Sequence, residues 1–61
     1  ALWRLPIHKC AEYGTVACLR ILLGAGADPL VADKMGLTPM HIAALKGHVE
    51  TMRILAENGV D

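Results

Sequence analysis

The chain has 61 residues and a mass of 6.5 kDa; 54% of its side chains are apolar, and six basic groups balance six acidic ones for a formal charge of zero. A chain this short buries only about 60% of the surface it exposes when unfolded, which argues against a deep catalytic cleft, while its apolar content excludes disorder. The charge balance argues against a surface that tracks nucleic-acid phosphates or an anionic membrane, since both rest on a basic stripe.

The first residues, Ala1-Leu2-Trp3-Arg4-Leu5-Pro6, lack the charged start, long apolar middle and small-residue cleavage site of a signal peptide. No apolar run approaches the roughly 18 residues of a spanning helix, so no membrane association is expected and the expected location is intracellular, cytoplasmic or nuclear. Pro6 opens the first predicted helix and Gly14 ends it. Thr15 stands where it can cap a second helix, which Gly24-Ala25-Gly26 closes. From Asp28 to Gly36, the residues Pro29, Asp33 and Gly36 suit a turn-rich excursion.

Thr38 then occupies an N-cap position and Pro39 the first helical position, where proline lacks only a donor that the helix leaves free. Met40, Ala43 and Ala44 make one apolar face of this third helix, and Ile42 with Leu45 makes a second, so burial on two sides is expected. Gly47 permits the left-handed turn that ends it. A fourth helix follows, with Val49, Met52, Ile54 and Leu55 apolar and Glu50, Arg53 and Glu57 on a solvated face; Asn58-Gly59 stops it. Cys10 and Cys18 are expected to be reduced, small core residues, since a secreted scaffold of this length usually carries four or more cysteines.

The chain is internally duplicated. Shifting it by 33 residues pairs positions 1–28 with 34–61, and ten pairs are identical: Pro6/Pro39, His8/His41, Ala11/Ala44, Gly14/Gly47, Val16/Val49, Arg20/Arg53, Ile21/Ile54, Leu22/Leu55, Gly26/Gly59 and Asp28/Asp61. The second copy carries Asp33, Gly36, Thr38-Pro39-Met40-His41-Ile42-Ala43-Ala44, Gly47-His48-Val49-Glu50 and Ile54-Leu55. This pattern resembles the ankyrin repeat, whose period is 33 and whose signature is T-P-L-H-x-A.

The resemblance covers nearly the whole chain. It implies an all-α solenoid of helix-turn-helix units with an intervening β-hairpin-like finger, here roughly Asp28 to Leu37. Repeat one would span about residues 1–32 and repeat two about 33–61, as a segment of a longer array. A helix apolar on two sides cannot bury both within one helical hairpin, so each unit needs neighbours. Ala11, Ala43 and Ala44 are small where helices must approach closely. The first unit departs from the pattern: Leu5 replaces the capping threonine that would bond His8, and Trp3 replaces the turn glycine.

Other chemistries fit less well. His8, His41 and His48 with Cys10 and Cys18 include no C-x-x-C or H-x-x-x-H pair, and His8 and His41 repeat one structural position, so no metal or cofactor is expected. Gly24-Ala25-Gly26 follows a helix and lacks the lysine of a phosphate loop. The chain has no serine, and Glu50 and Glu57 flank Arg53 as ion-pair partners, so an enzyme is not expected. The alternative reading is a helix-turn-helix nucleic-acid-binding fragment, but residues 49–57 would present two glutamates and one arginine to phosphate.

The resemblance implies a non-enzymatic interaction module or scaffold that binds a protein partner through finger tips and the exposed side of each first helix, and the charge balance leads to the expectation of no nucleic-acid partner. Carried over by position, that surface is Leu2, Arg4, Glu12, Tyr13, Ala32, Lys34, Met35, Leu37, Leu45 and Lys46. Met35 and Leu37 are expected at a turn tip without a core to enter, rimmed by Lys34 and Lys46. Self-association through exposed repeat ends is a further expectation.

Overall fold

A computed structural model describes residues 5–59. Four helices follow in chain order: α1 (Pro6–Tyr13), α2 (Val16–Gly24), α3 (Pro39–Lys46) and α4 (Val49–Glu57). Proline occupies the first turn of both α1 and α3. Each ends on a glycine in the left-handed region, Gly14 at φ 69° and Gly47 at φ 75°. That conformation turns the next N–H back onto the helix: Thr15 N–H reaches the Cys10 carbonyl at 3.1 Å, and His48 N–H reaches that of Ala43 at 2.9 Å. The chain therefore reverses twice in the same way, with α2 packing on α1 and α4 on α3.

The two helical hairpins stack, α1 against α3 and α2 against α4. Ile7, Cys10 and Leu19 of the first hairpin bury with Ile54 and Leu55 of the second, while Ala11 packs with Ile42 and Ala43. Each core cluster draws residues from both hairpins, so hydrophobic stabilisation is shared across the contact between them.

The duplication makes this visible position by position. Ile54 is 1% exposed, whereas Ile21, the same residue at the same place in the first unit, is 71% exposed. Ala11 is buried and its counterpart Ala44 is exposed; Thr51 is buried and its counterpart Cys18 is exposed. The first unit shows its Ala11 side to the second, and the second shows its Ile54 side to the first, so one member of each pair lies on an outer face.

This geometry corrects three expectations. Ala44 and Leu45 lie on the outer side of α3 and are exposed, although α3 packs against both α1 and α4 through Ile42 and Ala43. Val49 is exposed at the start of α4. Cys10 is a buried thiol, but Cys18 is exposed on the outer face of α2 and is not a core residue.

The expected finger between the units is built from turns, and no strand forms among the described residues. Its hydrogen bonds explain why. The Asp33 carboxylate accepts from the backbone N–H of Met35 and of Leu37, both at 2.9 Å, and the Asp28 carboxylate accepts from Leu30 N–H at 2.9 Å. Donors that a strand ladder would use are taken by side chains, leaving the Asp33 N–H to Leu37 carbonyl bond, also 2.9 Å, to close the loop.

Candidate partner-binding surface

The surface is positioned by three histidines, each spent on the backbone. His8 Nδ1 accepts from the Leu5 N–H at 3.0 Å. The ring proton therefore sits on Nε2, which donates to the Val31 carbonyl at 2.9 Å and ties α1 to the finger. His41 Nδ1 faces the Thr38 N–H at 3.2 Å and the Thr38 hydroxyl at 3.0 Å, while the His41 N–H donates to that hydroxyl oxygen at 3.3 Å. His48 Nε2 donates to the Glu12 carbonyl at 3.0 Å, crossing from the second unit to the first. This bridge was not anticipated from the sequence, where its signal is the glycine-histidine pair Gly47-His48 after a helix.

The altered cap of α1 is compensated in part by the main chain. Leucine has no acceptor, so the His8 N–H bonds the Leu5 carbonyl at 2.9 Å where Thr38 offers its hydroxyl to His41. The Leu5 side chain is half-buried against the Ile7 cluster. Thr15 stands before α2, yet its hydroxyl makes no capping bond.

On the finger, the Asp33 turn separates the fates of two neighbours. Met35 projects outward with 75% of its surface exposed, whereas Leu37 turns inward against Ile42 and Ala43. Leu37 therefore has a core to enter, contrary to its expected place on the tip. Ala32 and Lys34 are exposed on either side of Asp33. Leu30, exposed on the first turn of the finger, was not anticipated as part of the surface.

On the helices, Tyr13 ends α1 and is 67% exposed; Leu45 and Lys46 end α3, Leu45 with 74% exposed. Tyr13 and Lys46 occupy matching positions of the duplicated unit on helices that pack together. Glu12 is half-buried, with its carbonyl held by His48. Leu2 and Arg4 lie outside the described residues, as does Trp3.

On the far side of the first unit, an open groove of about 400 Å³ is lined by Pro6, Lys9, Cys10, Tyr13, Thr15 and Cys18. The fourth helix carries an ion pair on its solvated face, Arg53 to Glu50 at 3.7 Å, as its charge spacing predicted. Among the described residues no helix is long and apolar enough to cross a membrane.

Residues 3–61 match the family model described as ankyrin repeats (3 copies). The chain belongs to the ankyrin-repeat family. Ankyrin repeats are generally protein-interaction modules, and the family is generally non-enzymatic. Similar curated proteins include Ankyrin repeat protein nuc-2 of Neurospora crassa, 43% identical over 53 residues, which cover 87% of this chain and 5% of that protein. Target of rapamycin complex 2 subunit AVO2 of Saccharomyces cerevisiae is 38% identical over 56 residues, covering 92% of this chain and 13% of that protein. Protein phosphatase 1 regulatory subunit 27 of Homo sapiens is 34% identical over 55 residues, covering 90% of this chain and 36% of that protein. The chain thus spans a minor part of each of these relatives.

Proposed function

We propose that this ankyrin-repeat chain is a non-enzymatic, intracellular recognition module, cytoplasmic or nuclear, that binds a protein partner through the Met35 tip and the ends of α1 and α3. The observation that carries this reading is the split at the Asp33 turn: its carboxylate holds the loop by two backbone bonds so that Leu37 is half-buried against Ile42 and Ala43 while Met35 is held out. A rigidly presented methionine, with Lys34 beside it, is an apolar anchor with a basic rim, and it fits an apolar partner segment flanked by acidic residues. Tyr13 adds an aromatic of the type enriched in binding hot spots. The relatives that are a complex subunit and a phosphatase regulatory subunit support a binding role of this kind.

Nucleic acid is not the partner in this reading, since Arg53 is engaged by Glu50 on the helix that would enter a groove. The exposed Ile21 and Leu45 on opposite outer faces support self-association as a secondary property. The test is quantitative affinity capture from cell extract with the wild-type chain and with Met35→Asp and Tyr13→Ala combined. Proteins captured by the wild type are expected to be lost from the variant at unchanged helical content. An identical captured set with both chains would overturn this assignment of the surface.

A further inference from the structure

The groove on the outer side of the first unit holds chemistry that protein recognition does not use. Cys10 on α1 and Cys18 on α2 stand four residues before Gly14 and three after Thr15, so the reversal at Gly14-Thr15 brings them level across the hairpin. Both line the groove, and the neighbouring Cys18 thiol contributes to raising the pKa of the Cys10 thiol. One is buried and the other exposed. The duplicated unit supplies an internal comparison, because the matching positions are Ala43 and Thr51, both buried and neither able to do thiol chemistry.

We propose that Cys10 and Cys18 form a dithiol site that exchanges with small disulfides and closes to an intramolecular bridge between α1 and α2. The exposed Cys18 is the entry point. Its thiolate attacks one sulfur of the small disulfide, forming a mixed disulfide and expelling one thiolate, which takes up the proton that Cys18 released. Cys10 then loses its proton to solvent, and its sulfur attacks the Cys18 sulfur, expelling the second thiolate. Two protein thiols are oxidised to one disulfide, and the small disulfide is reduced to two thiols.

The difference between the two environments sets the order. Burial, followed by the hydrogen bond and charge interaction with Cys18, pushes the Cys10 thiol from its ordinary 9.0 up to about 11, which lowers its thiolate population about a hundredfold. Cys10 is thus a poor first attacker on a disulfide in solution. It lines the same groove as Cys18, however, and intramolecular attack compensates for a scarce thiolate through proximity. Lys9 on the groove wall favours a disulfide that carries carboxylates.

Oxidised glutathione is a suitable probe, followed by acid quench, alkylation and intact mass measurement of the folded protein. The wild type is expected to lose both alkylatable thiols while losing only the mass of two hydrogens, with the glutathione adduct transient. Cys10→Ala, which installs the residue found at position 43, is expected to accumulate the adduct on Cys18. Cys18→Thr, which installs the residue found at position 51, leaves only the buried Cys10 thiol and is expected to react about tenfold more slowly than Cys10→Ala. An adduct as persistent in the wild type as in Cys10→Ala would overturn the proposal. So would protection of both thiols in the folded wild type, a measurement that depends on neither variant.

Discussion

The ring of His48 lies against Gly14: its Nε2 reaches the Glu12 carbonyl at 3.0 Å, and a Cβ added at Gly14 would stand 2.8 Å from its Nδ1. Gly47 occupies the same left-handed position in the second unit, yet a Cβ there would meet nothing within 4 Å. The two glycines therefore separate a backbone requirement from a packing requirement. Gly47→Ala is expected to cost about 1–2 kcal/mol for the left-handed conformation alone. Gly14→Ala is expected to cost about 1–3 kcal/mol more, because the His48 ring must move off its carbonyl. Urea unfolding of both variants checks this, and equal losses would show that the His48 contact carries no energy.

The matched isoleucines offer a second comparison. Ile54→Ala removes a side chain enclosed by both units and is expected to cost about 2–5 kcal/mol. Ile21→Ala removes an identical side chain from an outer face and is expected to change stability by less than about 0.5 kcal/mol. A large loss at Ile21, measured by the same unfolding curves at two protein concentrations, would mean that its outer face is covered in solution.

The cap substitutions differ in a further way. Thr38→Ala deletes the hydroxyl that bonds His41 and is expected to cost about 1 kcal/mol. Leu5→Thr gains the cap that α1 lacks but loses half-buried packing against the Ile7 cluster, roughly 1 kcal/mol on each side, so it is expected to leave stability near that of the wild type. A thermal melt series of the two variants decides; a loss at Leu5 larger than at Thr38 would make Leu5 chiefly a core residue.

Alkaline pH gives a fourth test. The Cys10 thiol titrates at about 11 in the folded chain against 9.0 ordinarily, so the folded state resists ionisation that the unfolded state undergoes. Its contribution to stability is complete below pH 9.0 and is lost as pH rises from there through about 11. Wild-type stability under reducing conditions is expected to fall more steeply over that window than that of Cys10→Ala, with parallel curves as the contrary result.

The helix boundaries were legible because their signals are local. Pro6, Pro39, Gly14 and Gly47 act through backbone conformation within one turn, and all four stand where their chemistry requires. What could not be read was which member of each repeated pair is covered. Ile21 and Ile54, or Cys18 and Thr51, have equivalent places within a unit, and their burial depends on the neighbouring unit. The tip was legible only in part for a similar reason: Met35 and Leu37 are both apolar turn residues, and the two bonds to the Asp33 carboxylate decide which one faces inward.

The finger is pinned at both ends, through the His8 bond to the Val31 carbonyl on one limb and through Leu37 in the Ile42 cluster on the other. In mechanical terms it is a beam clamped at two supports, one belonging to each helical hairpin, with Met35 between them. A load applied at Met35 is therefore shared by both supports and tends to pry the hairpins apart or press them together. A partner gripping the tip would be pulling on the joint of the solenoid, and its stiffness would be that of the joint, not of the loop.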